Sequence, residues 1–162
     1  MMARYAAGTE VSSDRSRTEI ERTLRRYGAT QFLYGWSGRR ATVGFTAHGR
    51  SIRFELPMPD ANDREFTRTD TGRTRSETAA ADAYEKAVRQ RWRALALVVK
   101  AKLEAVASGI STFEDEFLAS AVLPGGATVA DTVRDHVAEA YVTGRVPALL
   151  PDYRIAIESG GH

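Results

Sequence analysis

Three short segments in the first third of the chain alternate apolar and polar residues with a period of two. They cover residues 29–36, 41–47 and 51–56, and short turns separate them. This alternation is typical of strands that bury one face. The sequence therefore predicts a three-stranded antiparallel meander. Its inward side chains are Phe32, Tyr34, Trp36, Val43, Phe45, Ile52, Phe54 and Leu56.

A helix is predicted before the sheet. Ile20, Leu24 and Tyr27 recur at helical spacing and form one apolar stripe. The pair Ser16–Glu19 has the spacing of a capping box, which indicates where the helix begins. Residues 1–11 show no periodicity, and we expect them to form a flexible tail.

A much longer helix is predicted after the sheet, from about Thr74 to Ser108. Thr74 and Glu77 again have capping-box spacing. Around residues 95–99 the apolar residues spread around the helix, so we expect cover from later helices or from another subunit. The main stripe, with steps of three and four, is Tyr84, Val88, Trp92, Leu95, Val99, Leu103 and Val106.

The remaining residues predict a small helical part, with a short helix after Ser111, a last helix over 129–143 and an alternating segment at 153–157. The fold class is therefore α+β: a helix, a three-stranded antiparallel sheet, a long central helix and a small helical C-terminal part. We expect one domain over residues 12–162, with 12–110 as its basic core.

Composition removes several classes of function. The chain has no cysteine, which excludes disulfides, thiolate metal sites and cysteine nucleophiles. The longest apolar run, Ala94–Val99, is far shorter than the roughly 20 residues of a membrane span. We therefore expect a cytoplasmic protein without a membrane partner.

Charge is distributed unevenly along the chain. Residues 1–110 hold 20 Lys+Arg against 13 Asp+Glu, or +7, whereas residues 111–162 hold 3 against 8, or −5. Such an asymmetry steers anions to one side of a molecule, and it also makes subunits attract head to back. We expect a homo-oligomer joined through the long helix.

The arginines suggest a phosphate-binding surface. Segment 60–75 is the sharpest case, because it is long, rich in arginine and nearly free of apolar residues, so its composition offers no core contact. Guanidinium groups bind phosphate well, although a charge run is more often a solvated face. The candidate phosphate-binding residues are Arg64, Arg68, Arg73 and Arg75 of the segment, Arg89 and Arg93 of the long helix, and Arg39, Arg40 and Arg53 near the sheet.

Two other groups allow a second interpretation. Phe32, Tyr34 and Trp36 suit base stacking, but their shared alternation favours core packing. Carboxylates suit Mg²⁺, although a solvated helix face is the commoner role. The acidic candidates are Asp131, Asp135 and Glu139, with Glu114, Asp115 and Glu116 upstream. We assign no catalytic residue, no metal ligand and no cofactor.

The order helix, three strands, helix is also that of a double-stranded-RNA-binding domain. Those domains usually begin their second helix with lysines. Here the same place has the sequence Ser76-Glu-Thr-Ala-Ala-Ala-Asp82, which is acidic and small. The match therefore rests on element order alone.

Six motifs are spread over most of the chain: Arg26-Tyr-Gly-Ala29, Tyr34-Gly-Trp36, Arg53-Phe-Glu-Leu-Pro57, Gln90-Arg-Trp-Arg-Ala-Leu95, Lys100-Ala-Lys-Leu-Glu-Ala-Val106 and Gly109-Ile-Ser-Thr-Phe-Glu-Asp-Glu-Phe117. They resemble a family of uncharacterised proteins of bacteriophages and prophages, chiefly of actinobacteria. The likeness covers about 11–151. It implies a phage-encoded cytoplasmic protein in an infected bacterium and carries over no catalytic residue.

Three functional hypotheses follow. The first is a non-enzymatic binder of nucleic acid or nucleotides that uses the arginine-rich face. The second is an interaction protein that inhibits a host defence factor, or an anti-defence protein that sequesters a nucleotide. The third is a Mg²⁺-dependent nuclease that uses Asp131, Asp135 and Glu114.

Overall fold

A three-stranded antiparallel sheet lies at the centre of the fold. Strands β1 (Thr30–Ser37), β2 (Arg40–Ala47) and β3 (Arg50–Pro57) are arranged in the order β1-β2-β3. The computed structural model describes the backbone of residues 2–150 and the side chains of residues 14–150. The predicted meander and the α+β class are confirmed.

The register of the sheet places its apolar residues on one face. Val43 of the central strand lies opposite Tyr34 on β1 and opposite Phe54 on β3. Val43 and Phe45 are buried, whereas Trp36, at the end of the edge strand, is 42% exposed. The inner face therefore needs cover from helices, most of all over β2.

Helices α1 (Met2–Arg26) and α3 (Glu77–Ala107) supply this cover from the same side. Both pack against the inner face of the sheet and against each other, which gives a two-layer structure. The buried residues that α1 and α3 contribute are Ile20, Leu24, Val88, Trp92, Leu95, Ala96, Val99 and Leu103.

The first helix begins upstream of the predicted capping box. Its backbone is helical from Met2, so residues 2–11, expected to be a flexible tail, belong to α1. The segment contains no proline and has alanine at positions 3, 6 and 7. Alanine has the highest helix propensity, and the absence of a capping residue does not stop a helix from extending.

The segment between β3 and α3 differs from its prediction. It contains a short helix, α2 (Arg64–Thr67), and its Phe66 is only 4% exposed. The Phe66 ring meets Tyr84 of α3 edge to face, with ring centroids 5.6 Å apart. Thr69 then accepts a hydrogen bond from Gly72 and donates one to Arg73. The expectation of no core contact was wrong, because one aromatic side chain is enough to attach the segment to α3.

The C-terminal part attaches to the free edge of β3. Helix α4 (Phe113–Phe117) places Phe117 against Phe45 and Phe54, with ring centroids 5.9 and 6.1 Å apart. A 3-10 turn follows at Leu118–Ser120. The Val122 N–H then donates to the Ser51 carbonyl at 2.8 Å, which ties the chain to the sheet edge.

The last described helix, α5 (Val129–Thr143), has the predicted boundaries. Thr128 forms a capping box with Asp131, and Gly144 ends the helix with φ at 68°, a value that glycine adopts without strain. The predicted strand at 153–157 lies outside the described residues. Within the part of the chain that the structure describes, no helix has the length and apolar content to cross a membrane.

Replacing Phe66 by alanine tests the attachment of α2. We expect the substitution to lower the free energy of unfolding by about 3 kcal/mol, because it removes a buried aromatic side chain. Urea denaturation measures the loss, and trypsin should cleave after Arg64, Arg68 or Arg73 faster than in the parent protein. Asp63→Ala is the control, since the Asp63 side chain makes no capping hydrogen bond. Equal stability and equal cleavage in the Phe66→Ala protein would contradict the attachment.

Candidate phosphate-binding surface

The arginines near the sheet are already paired with carboxylates. Arg39 Nη1 lies 2.8 Å from Asp60 Oδ2, and Arg40 Nη1 lies 2.7 Å from Glu55 Oε2. A hydrogen bond from the Asn62 backbone, and after it the positive charge of Arg39, lower the pKa of Asp60. These ion pairs reduce the charge that Arg39 and Arg40 offer to an external anion.

Arg53 has a structural role. Its Nη1 donates to the Gly126 carbonyl at 2.7 Å, and its Nη2 lies 3.9 Å from Asp131 Oδ2. Only 27% of the side chain is exposed. Arg53 therefore holds the turn before α5 against the outer face of the sheet, and little of its guanidinium faces solvent.

The arginines of segment 60–75 divide into two kinds. Arg68 donates to the Gly72 carbonyl at 3.1 Å, and Arg75 Nε donates to the Arg68 carbonyl at 3.0 Å, so both hold the segment in its own conformation. Arg64 and Arg73 are exposed and form no salt bridge with a described residue. Two of the four predicted residues are thus available to a partner.

Helix α3 presents a row of available cations. Arg89 and Arg93 are exposed, as are Lys86 and Lys100 on the same side of the helix, beside the buried stripe. None of the four forms a salt bridge with a carboxylate in residues 14–150. From Lys86 to Lys100 the row extends over roughly 21 Å at the α-helical rise.

Sequence reasoning did not assign a second row, on α1. Arg15, Arg22 and Arg26 are exposed and recur at seven and four residues, which places them on one helical stripe. This stripe lies opposite Ile20 and Leu24, which face the core. None of the three arginines pairs with a described carboxylate. The sequence contained the signal for this row, since the spacing of the three arginines places them on the side of the helix opposite its apolar stripe.

One contact fixes the two rows relative to each other. The Arg17 guanidinium of α1 lies over the Trp92 ring of α3 at 5.9 Å and over the Tyr34 ring at 5.8 Å. Arg15 and Arg22 are within about two helical turns of Arg17, and Arg89 and Arg93 are each within one turn of Trp92. Both helices lie on the same face of the sheet. Their solvent-exposed sides therefore lie together on the surface of the molecule that faces away from the sheet.

We name this the helical-layer surface. Three exposed carboxylates, Glu19, Asp82 and Glu104, lie on the same sides of the two helices, so seven cations against three anions leave a formal charge of +4. The arrangement suits an extended anion, since the cations line two helices and do not surround one point. Its cations are Arg15, Arg22 and Arg26 of α1, and Lys86, Arg89, Arg93 and Lys100 of α3.

Phe32 and Tyr34 of β1 pack against the core, whereas Trp36 is 42% exposed and contacts Trp92 with ring centroids 6.3 Å apart. The Tyr34 hydroxyl donates to the Arg17 carbonyl at 3.3 Å. Burial, together with the charge of Glu21, raises the pKa of Tyr34 to about 12. Phe32 lies beneath the Arg25 guanidinium at 5.3 Å. Phe32 and Tyr34 are therefore not available for base stacking.

The acidic residues do not form a metal site among the residues that the structure describes. Glu114 Oε1 lies 3.2 Å from Arg50 Nη2. The Thr128 hydroxyl donates to Asp131 at 2.8 Å, and this hydrogen bond is the largest cause of the lowered pKa of Asp131. The set Asp131, Asp135 and Glu114 thus lacks the grouped carboxylates that a Mg²⁺-dependent nuclease needs.

Comparison of the chain with protein-family models, with curated proteins and with solved structures finds no match. The proposed function therefore depends on the geometry of the chain's own residues. The resemblance to bacteriophage and prophage proteins stays a prediction.

Replacing Asp131 by asparagine tests its capping role. The pKa of Asp131 is lowered in the folded state, so its ionised carboxylate stabilises the protein at pH values above about 3.9, the usual pKa of an aspartate. This contribution is lost as the pH falls through the folded-state pKa. Asp131→Asn should be less stable than the parent protein at neutral pH, and the difference should shrink in acid. Thermal denaturation across this pH range measures the difference.

The control for this substitution is Asp135→Asn, one turn further along α5, which accepts no hydrogen bond from a described residue. A difference that persists unchanged at low pH would argue against the capping role of the Asp131 carboxylate. A rise in melting temperature with millimolar Mg²⁺ that Asp131→Asn removes would instead indicate a metal site.

Proposed function

We propose that the protein binds nucleic acid through the helical-layer surface, without catalysing a reaction on it. The observation that carries the proposal is that seven exposed cations on two adjacent helices form no salt bridge with a described carboxylate. Cations that have no carboxylate partner can neutralise the phosphates of a nucleic acid. The phosphates then release their bound counterions, and this release drives binding.

The shape of the surface favours a polymer over a single nucleotide. A nucleotide is usually held in a concave pocket by convergent groups. The two rows instead follow the lengths of α1 and α3. A cavity of about 540 Å³ near the end of α5 contains Arg145 but none of the seven cations. An extended row of cations matches the repeated charges of a phosphate backbone.

The proposal also predicts how the nucleic acid is contacted. Stacking on aromatic residues is the usual means of holding single strands, and Phe32 and Tyr34 are occupied by core contacts. Arginine and lysine contacts to phosphate carry no sequence information by themselves. We therefore expect binding to a duplex with little sequence preference.

The fold has the element order of a double-stranded-RNA-binding domain, helix, three strands, helix, and both long helices lie on one face of the sheet. The start of α3, residues 77–82, carries no lysine or arginine. The phosphate contacts of the proposal therefore come from α1 and from the later turns of α3. Inhibition of a host defence factor, nucleotide sequestration and a cytoplasmic location stay predictions.

Alanine substitutions on the two rows test the proposal. The parent protein should bind fluorescent duplex DNA or RNA with an affinity that falls steeply between about 50 and 200 mM salt. Arg22→Ala and Arg93→Ala should each weaken binding and reduce the slope of log affinity against log salt by about 1. Fluorescence anisotropy measures both quantities.

The matched control is Arg40→Ala, which removes an exposed arginine that is paired with Glu55. Its affinity and salt slope should stay close to those of the parent protein. The proposal is rejected if the duplex does not bind at low salt, or if the affinity does not depend on salt.

A further inference from the structure

Strand β1 is a free edge of the sheet. It pairs with β2 on one side, and no other residue of the described chain forms a ladder with it. The opposite edge, on β3, is covered, because the Val122 N–H donates to the Ser51 carbonyl at 2.8 Å. A free edge presents unpaired N–H and C=O groups to any segment that approaches in an extended conformation.

The hairpin between β1 and β2 defines which main-chain groups point outward. Ser37 lies opposite Arg40 across a two-residue turn, and residues in that position form a hydrogen-bonded pair. Pairing then alternates along the strand, so the N–H and C=O groups of Gly35 face β2. Those of Tyr34 and Trp36 point away from the sheet.

This edge lacks the usual protection against pairing. The sequence of β1 contains no charged residue and no proline. Leu33 is 63% exposed and Trp36 is 42% exposed. The register shifts between Thr30 and Leu33, which leaves residues 33–37 as a regular stretch. An uncharged edge with exposed apolar side chains is a template for another strand.

We propose that β1 pairs antiparallel with β1 of a second copy, with Gly35 of one copy opposite Gly35 of the other. In this register Tyr34 lies opposite Trp36 of the second copy, and the outward N–H and C=O groups of both residues are paired. Centring the pair on Tyr34 would place Trp36 opposite the irregular start of the strand. Centring it on Trp36 would place Tyr34 opposite the turn.

The side chains of β1 identify the occupant as a second copy. Leu33, Gly35 and Ser37 project from the outer face of the sheet. In the proposed register Leu33 lies opposite the small Ser37 of the second copy, with the two glycines between them. The outer face of the strand is thus complementary to itself when its direction is reversed. Self-pairing also brings no like charges together, since β1 has none.

The inner face supports the same partner. Trp36 gains Tyr34 of the second copy as its cross-strand neighbour, and aromatic pairs in this position stabilise a sheet. The contact joins two three-stranded sheets into one of six strands and closes as a twofold dimer. Two five-residue segments bury little surface, so we expect a weak dimer that depends on concentration.

The dimer has a distinctive dependence on salt. Residues directly opposite each other project to the same face, so the helical-layer surfaces of both copies lie on one side of the joined sheet. Their like charges repel, whereas the β1 contact has no ion pair to screen. Association should therefore persist or strengthen as salt rises. The inference does not depend on the proposed function.

Substitutions at Gly35 test the proposal, because the twofold axis sets the two copies of this residue opposite each other. A Cβ at Gly35 would lie 4.0 Å from the Thr42 Cβ, an ordinary contact, so a side chain fits the monomer. Gly35→Glu and Gly35→Lys each bring two like charges together in the dimer. Each protein alone should be a monomer, and an equimolar mixture should form a dimer with one copy of each.

Sedimentation of full-length, nuclease-treated protein over a concentration series measures association. The control is Ser51→Glu, an exposed position on the outer face of the covered strand β3. The parent protein and this control should both dimerise. Circular dichroism melting checks that the Gly35 variants fold like the parent protein.

A cysteine at the same position reports the register. The chain contains no cysteine, so Gly35→Cys forms a disulfide only between copies. Opposite residues that are not hydrogen-bonded have Cα atoms about 4.5 Å apart, a separation that a disulfide spans. Mild oxidation should cross-link Gly35→Cys much faster than the control Ser51→Cys.

Any of four results would overturn the inference: a parent protein that stays monomeric throughout the series, a Gly35→Glu protein that dimerises like the parent, a mixture without a dimer, or equal cross-linking of the two cysteine proteins. Failure here is distinguishable from failure of the proposed function. The Gly35 variants keep all seven cations of the helical-layer surface, so their duplex binding is measured separately.

Discussion

The need to cover one apolar sheet face organises the rest of the molecule. Val43 and Phe45 of the central strand are buried, and no single helix is wide enough to shield three strands. Two helices therefore lie side by side on that face. Trp92 of α3 contacts both Arg17 of α1 and Trp36 of β1, and this contact fixes the position of one helix along the other.

This constraint also separates the arginines into two populations. On the sheet, arginines stand beside glutamate and aspartate on neighbouring strands or turns, as with Arg40 and Glu55. On the exposed sides of α1 and α3 the cations form no salt bridge with a described carboxylate. Residues with the same charge therefore differ in their availability to a partner, and the difference follows from which layer carries them.

The described surface has two regions whose charges lack a partner within the chain. The helical-layer surface has seven cations that pair with no described carboxylate, and α5 has exposed carboxylates and exposed apolar side chains.

Much of the fold was predictable because periodicity reports directly which face of an element is buried. The period of two gave the sheet, and the stripe from Tyr84 to Val106 gave α3. Segment 60–75 was not predictable in this way, since one phenylalanine has no period. The candidate site was predicted only in part: Arg64, Arg73, Arg89 and Arg93 are available, whereas Arg39, Arg40 and Arg53 are engaged.

The sequence by itself determined the kinds and order of the main elements other than α2, the ends of α5, and the excess of arginine in the first 110 residues. Tertiary structure alone decided which arginines share a surface. Local pattern depends on neighbours a few residues apart, but ion pairing depends on residues such as Arg53 and Asp131, which are distant in sequence and meet only when the layers assemble.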